Sequence, residues 1–591
     1  MPAKGWRKTI PALDSLRDYR WSAARADALA GVTVAAVAVP QAMAYAMVAG
    51  LPVEYGLYTA IVMTAVGALF DSSRQLINGP TNAISIALFS AISFIPEPAQ
   101  RVQAAMLVAF LVGSIQLAIT LLRLGDLTRY ISHSVIVGFT LGASALLVID
   151  QVKNLLGLPA LGDGHDHVLV RFWLTITQGG APHVATAAIG LGTIALVLAL
   201  RRIKSWLGWL LLPEFLIVVV VMAAIVAQQG LDTRGVKVVG EIPATLPHFA
   251  WPHFDALAMR ELAGSALALA LLGLLEAISM AKAIAAQTRQ TLDMNQQCLS
   301  EALANLTGSC FQCMPGSGSL TRSAINQQAG AVTQWSGVVS AGAVALIMIV
   351  FAPYARFIPR AALAGILIVT SWRMVDWRAL AYHLRATRFD AAIVAVTAFS
   401  AVAISIEFCV LVGVFMSFML TVPRAGRMLR SEFVVSPEGS IHERLPDDAV
   451  CGHISIFGLE GELFFGAAAA LERHFQYIES RIDDQTRVLV LRMKRLRNPD
   501  AAGLTLLEEF LDRVAARGVP VLMCGVRNRL FRTMQKTGLT ARLGNHEVFL
   551  EQPVRQTSTL QAIRKAYTLV KDPCPICRRD LAAADNLYYV I

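Results

Sequence analysis

Charge is what this sequence has least of. Of 591 residues only 16% are charged and 55% are hydrophobic, whereas a soluble domain carries roughly one-quarter charged residues. That shortage excludes an ordinary soluble protein and makes membrane embedding the expected class. Cysteine is scarce as well: eight residues, scattered along the chain, which a cytoplasmic tail would keep reduced. Two pairs, Cys310/Cys313 and Cys574/Cys577, have CxxC spacing. Neither comes with a second pair or a nearby His-x-x-x-His, so each offers at most half of a tetrahedral zinc site. Cys310 and Cys313 read as small residues packed in a helix. Cys574 and Cys577 read as an ordinary C-terminal extension, with an intermolecular metal or redox role as the alternative. No cofactor or metal is expected. The segment order of a cleavable signal peptide is missing. So is any nucleophile–His–acid arrangement, which argues against an enzyme and leaves His453 as a surface or core residue.

Apolar sequence is abundant. Runs at residues 28–52, 75–96, 102–122, 172–200 and 323–355 reach the roughly 18 residues that mark a candidate spanning helix. The chain therefore reads as a polytopic α-helical membrane protein. Its formal charge of +10 does not point to nucleic acid, because the basic residues flank the apolar runs: Lys4, Arg7, Lys8, Arg17, Arg20 and Arg25, then Arg201, Arg202 and Lys204, then Arg424, Arg427 and Arg430. This is the positive-inside pattern. Arg-rich segments before the first span and after the last predict two cytoplasmic termini and an even number of spans.

Composition changes near Thr421. Beyond it, short apolar runs at 450–457, 487–493 and 519–524 read as strands, and 467–482 and 501–516 have helical spacing. Strand and helix in alternation predict a small α/β domain over residues 433–567. The expected organisation is a cytoplasmic N-terminal segment at 1–26, a transmembrane domain at 27–422, this α/β domain, and a tail at 568–591.

The membrane part echoes itself. A span interrupted by Pro40 is followed some forty residues later by INGPTNAIS, and a span containing Glu276 is followed at a similar interval by MPGSGSLTRSAIN. Paired interrupted spans in two halves are the sequence sign of an inverted-repeat transporter with its site at the midplane. Gly79-Pro80 and Gly316 to Gly318 each let an extended segment turn into a helix, beginning near Thr81 and Ser319. The first N–H groups of such helices lack intrahelical partners, and hydrocarbon offers none. A helix N-terminus carries roughly half a positive charge and attracts anions, so two ends and Arg322 would supply roughly two. Anions are the implied cargo. Alternatively, Ser317, Ser319, Thr321 and Ser323 only cap and pack the helix, and Arg322 pairs with a carboxylate.

Glu276 follows fourteen uncharged residues, 262–275. Ionised, it would cancel one positive equivalent at the site; protonated, it would leave about two for a dianion. That is a route to proton-coupled uptake, with a static pair to Arg322 or Lys282 as the other reading. Gln41 and Tyr45, four residues apart, can offer an amide and a hydroxyl to one point, although Tyr45 also suits an interfacial anchor.

The motifs PQAMAYAMVAGLPVEYGLY (40–58), INGPTNAIS (77–85), LLEAISMAKAIA (274–285), MNQQCLSEALANLTGS (294–309) and MPGSGSLTRSAIN (314–326) together resemble the sulfate permease (SulP) family, the bacterial relatives of solute carrier family 26. The C-terminal part resembles its STAS domain. The resemblance implies fourteen spans in a 7+7 inverted repeat, core and gate domains, a homodimer, and a cytoplasmic STAS domain able to dock a partner. It implies an elevator-like carrier of sulfate, bicarbonate, chloride or dicarboxylates, set in lipid in a bacterial inner membrane. By motif, the anion site falls at Gln41 and Tyr45, at Thr81, Asn82 and Ala83, and at Ser319, Leu320 and Thr321, with Arg322 beside it and Glu276 as the proton carrier. Sodium-coupled members have a hydroxyl residue four positions after that acid; Met280 stands here, which favours protons. Related sigma-factor regulators have a phosphorylatable Ser where this chain has Ala502, so that switch is excluded. Sulfate is the first expectation for the cargo. Bicarbonate, a C4-dicarboxylate, and a passive channel or anion sensor are the alternatives.

Overall fold

The computed structural model describes residues 10–125, 132–162, 166–208, 213–436, 439–543, 548–553, 557–570 and 587–589. Cys574 and Cys577 lie outside them. The chain forms two compact units, Met1–Ser417 and Phe418–Ile591.

The first unit is helical: α1 Pro11–Ser15, α2 Trp21–Val48, α3 Val53–Phe70, α4 Asn82–Ile92, α5 Pro98–Leu121, α6 His133–Leu156, α7 Val168–Gln178, α8 Val184–Leu207, α9 Glu214–Gln229, α10 Ala256–Thr288, α11 Met294–Cys310, α12 Leu320–Gln328, α13 Trp335–Ala355, α14 Arg360–Met374, α15 Trp377–Ala386, α16 Arg388–Ala403, and α17 Ile406–Ala425, which continues past the unit's end. Among the described residues, eight helices are long and apolar enough to cross a membrane, and α4 and α9 are shorter apolar helices. Two groups of packing partners emerge: α2, α3, α5, α10, α11 and α13 in one, and α6, α8, α14 and α16 in the other. Each group draws helices from both halves of the sequence, as core and gate domains require. The expected break at Pro40 does not occur: α2 runs through it to Val48. A proline inside a helix removes one N–H bond to the carbonyl four residues back, and burial of the surrounding turns holds the helix together.

The sequence echo has a physical form. Strand β1 (Asn78–Gly79) precedes α4, and strand β2 (Ser317–Gly318) precedes α12. The two pair antiparallel, Asn78 opposite Gly318 and Gly79 opposite Ser317. The backbones approach so closely that a Cβ on Gly316 would stand 2.5 Å from the Gly79 carbonyl oxygen. Gly79 itself has φ +143°, a conformation suited to glycine.

The second unit is an α/β domain. Its strands β3 (Leu429–Val435), β4 (Ser440–Glu443), β5 (Ile454–Glu462), β6 (Val488–Arg497), β7 (Val521–Val526), β8 (Val548–Leu550) and β9 (Tyr588–Tyr589) form one sheet in the order β8-β7-β6-β5-β3-β4-β9. β5 to β8 run parallel, and β3 pairs antiparallel with β4 and β5. The sheet begins at Leu429, ahead of the expected start at 433. Helices α18 (Ala468–Ser480), α19 (Ala501–Ala516), α20 (Asn528–Lys536) and α21 (Leu539–Leu543) contribute to a core on one face, where Phe475 and Phe510 stack at 4.2 Å. On the other face α22 (Thr557–Leu569) buries Ala562, Ile563 and Ala566.

Candidate anion site between two half-helices

The site is built from the N-termini of α4 and α12, with α2 and α10 packed against both. Thr81 caps α4, its hydroxyl accepting from Ile84 N, and Ser319 caps α12, accepting from Arg322 N. The next N–H in each helix already bonds the cap carbonyl, Ser85 N to Thr81 O and Ser323 N to Ser319 O. That leaves the N–H groups of Asn82 and Ala83, and of Leu320 and Thr321, with no intrahelical partner. These are the positions the motifs implied, and the β1–β2 pair holds the two ends together. Ile77 N is further tied to Ser323 Oγ at 2.9 Å, and Ser319 N to Ile77 O at 2.9 Å.

Arg322 is 1% exposed. Its Nη2 donates to Pro80 O at 2.9 Å, and its Nε has no partner. Among the described residues it forms no ion pair with a carboxylate, contrary to the paired reading. Instead a side chain from the second half reaches the carbonyl that opens the first half-helix. Glu276 makes neither expected static pair: its Oε2 accepts from Ser317 Oγ at 2.6 Å and from Thr81 Oγ1 at 3.0 Å, one hydroxyl from each half.

Tyr45 is 4% exposed and within electrostatic reach of both Arg322 and Glu276. Gln41 is 1% exposed, and neither atom of its amide has a hydrogen-bond partner. A buried amide with nothing to bond is costly, and an anion or its hydration would relieve it. Asn82 Nδ2 reaches only Met374 Sδ, at 3.6 Å. Leu320, at 49% exposure, marks where the otherwise buried cluster opens. Met280 packs with Leu76, Ala277 and Ile284 and adds no oxygen to the site.

The supporting residues escape a site reading confined to the two glycine-rich turns. Asn305 on α11 brackets Gly316, donating to its carbonyl at 3.2 Å and accepting from its N–H at 3.1 Å. It also donates to Gln116 Oε1 on α5. Asp71, at the end of α3, accepts from Asn78, Gln297 and Ser300. The signal for Gln297, Ser300 and Asn305 was the polar run MNQQ…AN inside an apolar region.

Known proteins bear on this arrangement. Residues 25–397 match the sulfate permease family, and residues 446–552 match the STAS domain. This chain belongs to the sulfate permease family. It is 28% identical to sulfate transporter 4.1, chloroplastic, of Arabidopsis thaliana, across 92% of this chain and 82% of that one. It is 33% identical to the sodium-independent sulfate anion transporter of Bos taurus, across 65% of this chain and 67% of that one. Its fold matches the murine solute carrier 26 family member A9 anion transporter in the inward-facing state, with a TM-score of 0.84 at 20% identity over 95% and 94% of the two chains. The transmembrane domain of the cyanobacterial bicarbonate transporter BicA matches with a TM-score of 0.58 at 24% identity, covering 68% of this chain and 98% of that one. The chain is thus a multi-pass membrane transporter of the anion-carrying sulfate permease family, with the fold of solute carrier 26 and a C-terminal STAS domain.

Proposed function

We propose that this protein couples the uptake of sulfate, or of a closely similar small dianion, to protons, by an elevator-like movement of the group that carries the two half-helices. The observation that supports this reading is Glu276, which accepts hydroxyl hydrogens from Thr81 and Ser317 at once. While Glu276 is ionised, both hydroxyls point at it and its charge opposes an incoming anion. Once protonated it needs only to donate, the hydroxyls are free to turn to the anion, and the N–H groups at 82, 83, 320 and 321 face no competing negative charge. Arg322, Gln41 and Tyr45 complete the shell. The curated relatives carry sulfate in their names, one of them as sodium-independent, and Met280 supplies no ligand for sodium. The same reading includes a homodimer in a bacterial inner membrane with both termini cytoplasmic.

Sulfate uptake into proteoliposomes tests the coupling. An inward proton gradient is expected to accelerate uptake in the wild type and to leave Glu276→Gln unaffected; wild-type transport indifferent to the gradient would sink the reading.

A further inference from the structure

At the carboxyl ends of its parallel strands the α/β unit has a basic cavity of about 600 Å³. Arg427, Arg492, Lys494, Arg495, Arg497 and Arg527 line it, against two acids, Glu460 and Glu462. A bulge gathers the charges of β6. Gly458 pairs with Arg492 but Glu460 pairs with Arg495, so β6 carries one residue more than β5 across that step. Plain alternation after Leu489, Leu491 and Met493 would send Arg495 and Arg497 into the core. The extra residue turns them to the face of Arg492, and Leu496 enters the core instead.

Both acids are occupied. Glu460 holds Arg495 at 2.6 Å, and Glu462 accepts from Asn498 Nδ2 at 2.7 Å. Arg527 leans to Glu551 at 3.4 Å, and Arg492 lies over the Phe433 ring. Among the described residues, Arg427, Lys494 and Arg497 form no ion pair. Like charges gathered this way repel one another, and an anion between them relieves the repulsion.

Two features say which anion. The last turns of α17 belong to this unit and end a helix long and apolar enough to cross a membrane, two residues before Arg427. Packing holds that helix end against the cavity: a Cβ on Gly466 would meet Val422 of α17 at 2.8 Å, and one on Gly461, in the cavity wall, would stand 3.1 Å from the Arg427 carbonyl oxygen. Two residues reach at most about 7 Å, so the cavity lies where the chain leaves the bilayer. Leu429, 66% exposed in the cavity wall, adds apolar surface for which a free inorganic anion has no use.

We propose that this cavity binds the phosphate headgroup of an anionic phospholipid. Arg427, Lys494 and Arg497 supply charge-assisted donors to the phosphate, and Leu429 meets the glycerol end of the lipid. Basic residues just past a spanning helix attract anionic headgroups in general. Here the carboxyl ends of the sheet, where open α/β sheets hold ligands, turn that attraction into a walled site. The inference is independent of the cargo and of proton coupling.

Dioctanoyl phosphatidylglycerol, titrated calorimetrically into the detergent-purified full chain, tests it. The Lys494→Gln/Arg497→Gln variant is expected to bind this lipid at least fivefold more weakly than the wild type. Arg25→Gln/Arg202→Gln, which removes two exposed charges from the ends of other spans, should stay within twofold. The charge-keeping Lys494→Arg/Arg497→Lys should bind as the wild type does, which separates a lost contact from a lost fold. Equal weakening by the two neutral pairs would mean diffuse attraction and overturn the site, as would equal wild-type affinity for dioctanoyl phosphatidylcholine. Inorganic phosphate or ATP, added at the lipid's own concentration, is expected to leave lipid binding unchanged. Displacement of the lipid by either would assign the cavity to a soluble phosphate and overturn the lipid reading.

Discussion

Gln41 and Arg322 are both buried at the site, yet their substitution should have opposite structural consequences. The Gln41 amide has no protein partner, so Gln41→Leu removes a polar group that no other residue satisfies. Stability should hold or rise while sulfate affinity falls, because replacing an unpaired buried polar group by an apolar one is neutral or favourable. Arg322 is bonded to Pro80 O, and Arg322→Ala orphans that carbonyl as well as removing a charge. A charge-assisted hydrogen bond contributes about 1.5–3 kcal/mol, so affinity should fall by at least about tenfold and the melting temperature should drop. Calorimetric sulfate titration and thermal unfolding separate the two, and Arg322→Ala affinity within a factor of two would make that residue purely structural. Thr81, Ser319 and the N–H positions at 82, 83, 320 and 321 were legible in the sequence, because a glycine-rich turn followed by a hydroxyl cap is a local signal. The crossing of Arg322 to Pro80 and the burial of Asp71 were not, since each depends on contacts hundreds of residues apart along the chain.

The elements of the site meet through two-residue strands, and glycine is what lets them. Gly316→Ala would place a methyl against Gly79 O in a setting already fixed by Asn305. Overpacking of this kind costs typically 1–3 kcal/mol, and here it would also spread the half-helix ends. Transport is expected to fall further than stability, which uptake and thermal unfolding measured on one preparation would show. In the STAS domain the stacked Phe475 and Phe510 anchor α18 and α19. Phe510→Ala should cost about 3–5 kcal/mol, read as lost hydrogen-exchange protection in β6 and β7 of the full chain. Burial pushes the Cys524 thiol in β7 up to about 11, so it should resist alkylation at pH 8 until the domain unfolds. The strands β5, β6 and β7 were readable as apolar runs. β3, with Arg430, Ser431 and Glu432 in its first half, was not, because a strand at that end of the sheet tolerates polar residues that carry no period.

At the scale of the molecule, the chain is a membrane unit of two helix groups and a separate α/β unit. The sequence disclosed the two units through the change in composition at Thr421 and disclosed the repeat through its two glycine-rich turns. It misplaced the effect of Pro40, since one missing hydrogen bond does not break a helix whose neighbours bury it. A carrier built this way should saturate with sulfate and show no steady conductance, and unit currents in a planar bilayer would favour a channel instead.

The pairing of β1 with β2 has one more consequence. Because each strand comes from a different half and the glycine backbones touch, the ends proposed to grip the cargo and the joint that unites the two halves are the same few atoms. A substitution that widens the grip for a bulkier anion must also slacken the joint. Broader choice of cargo and fast turnover should therefore be hard to select together in this protein.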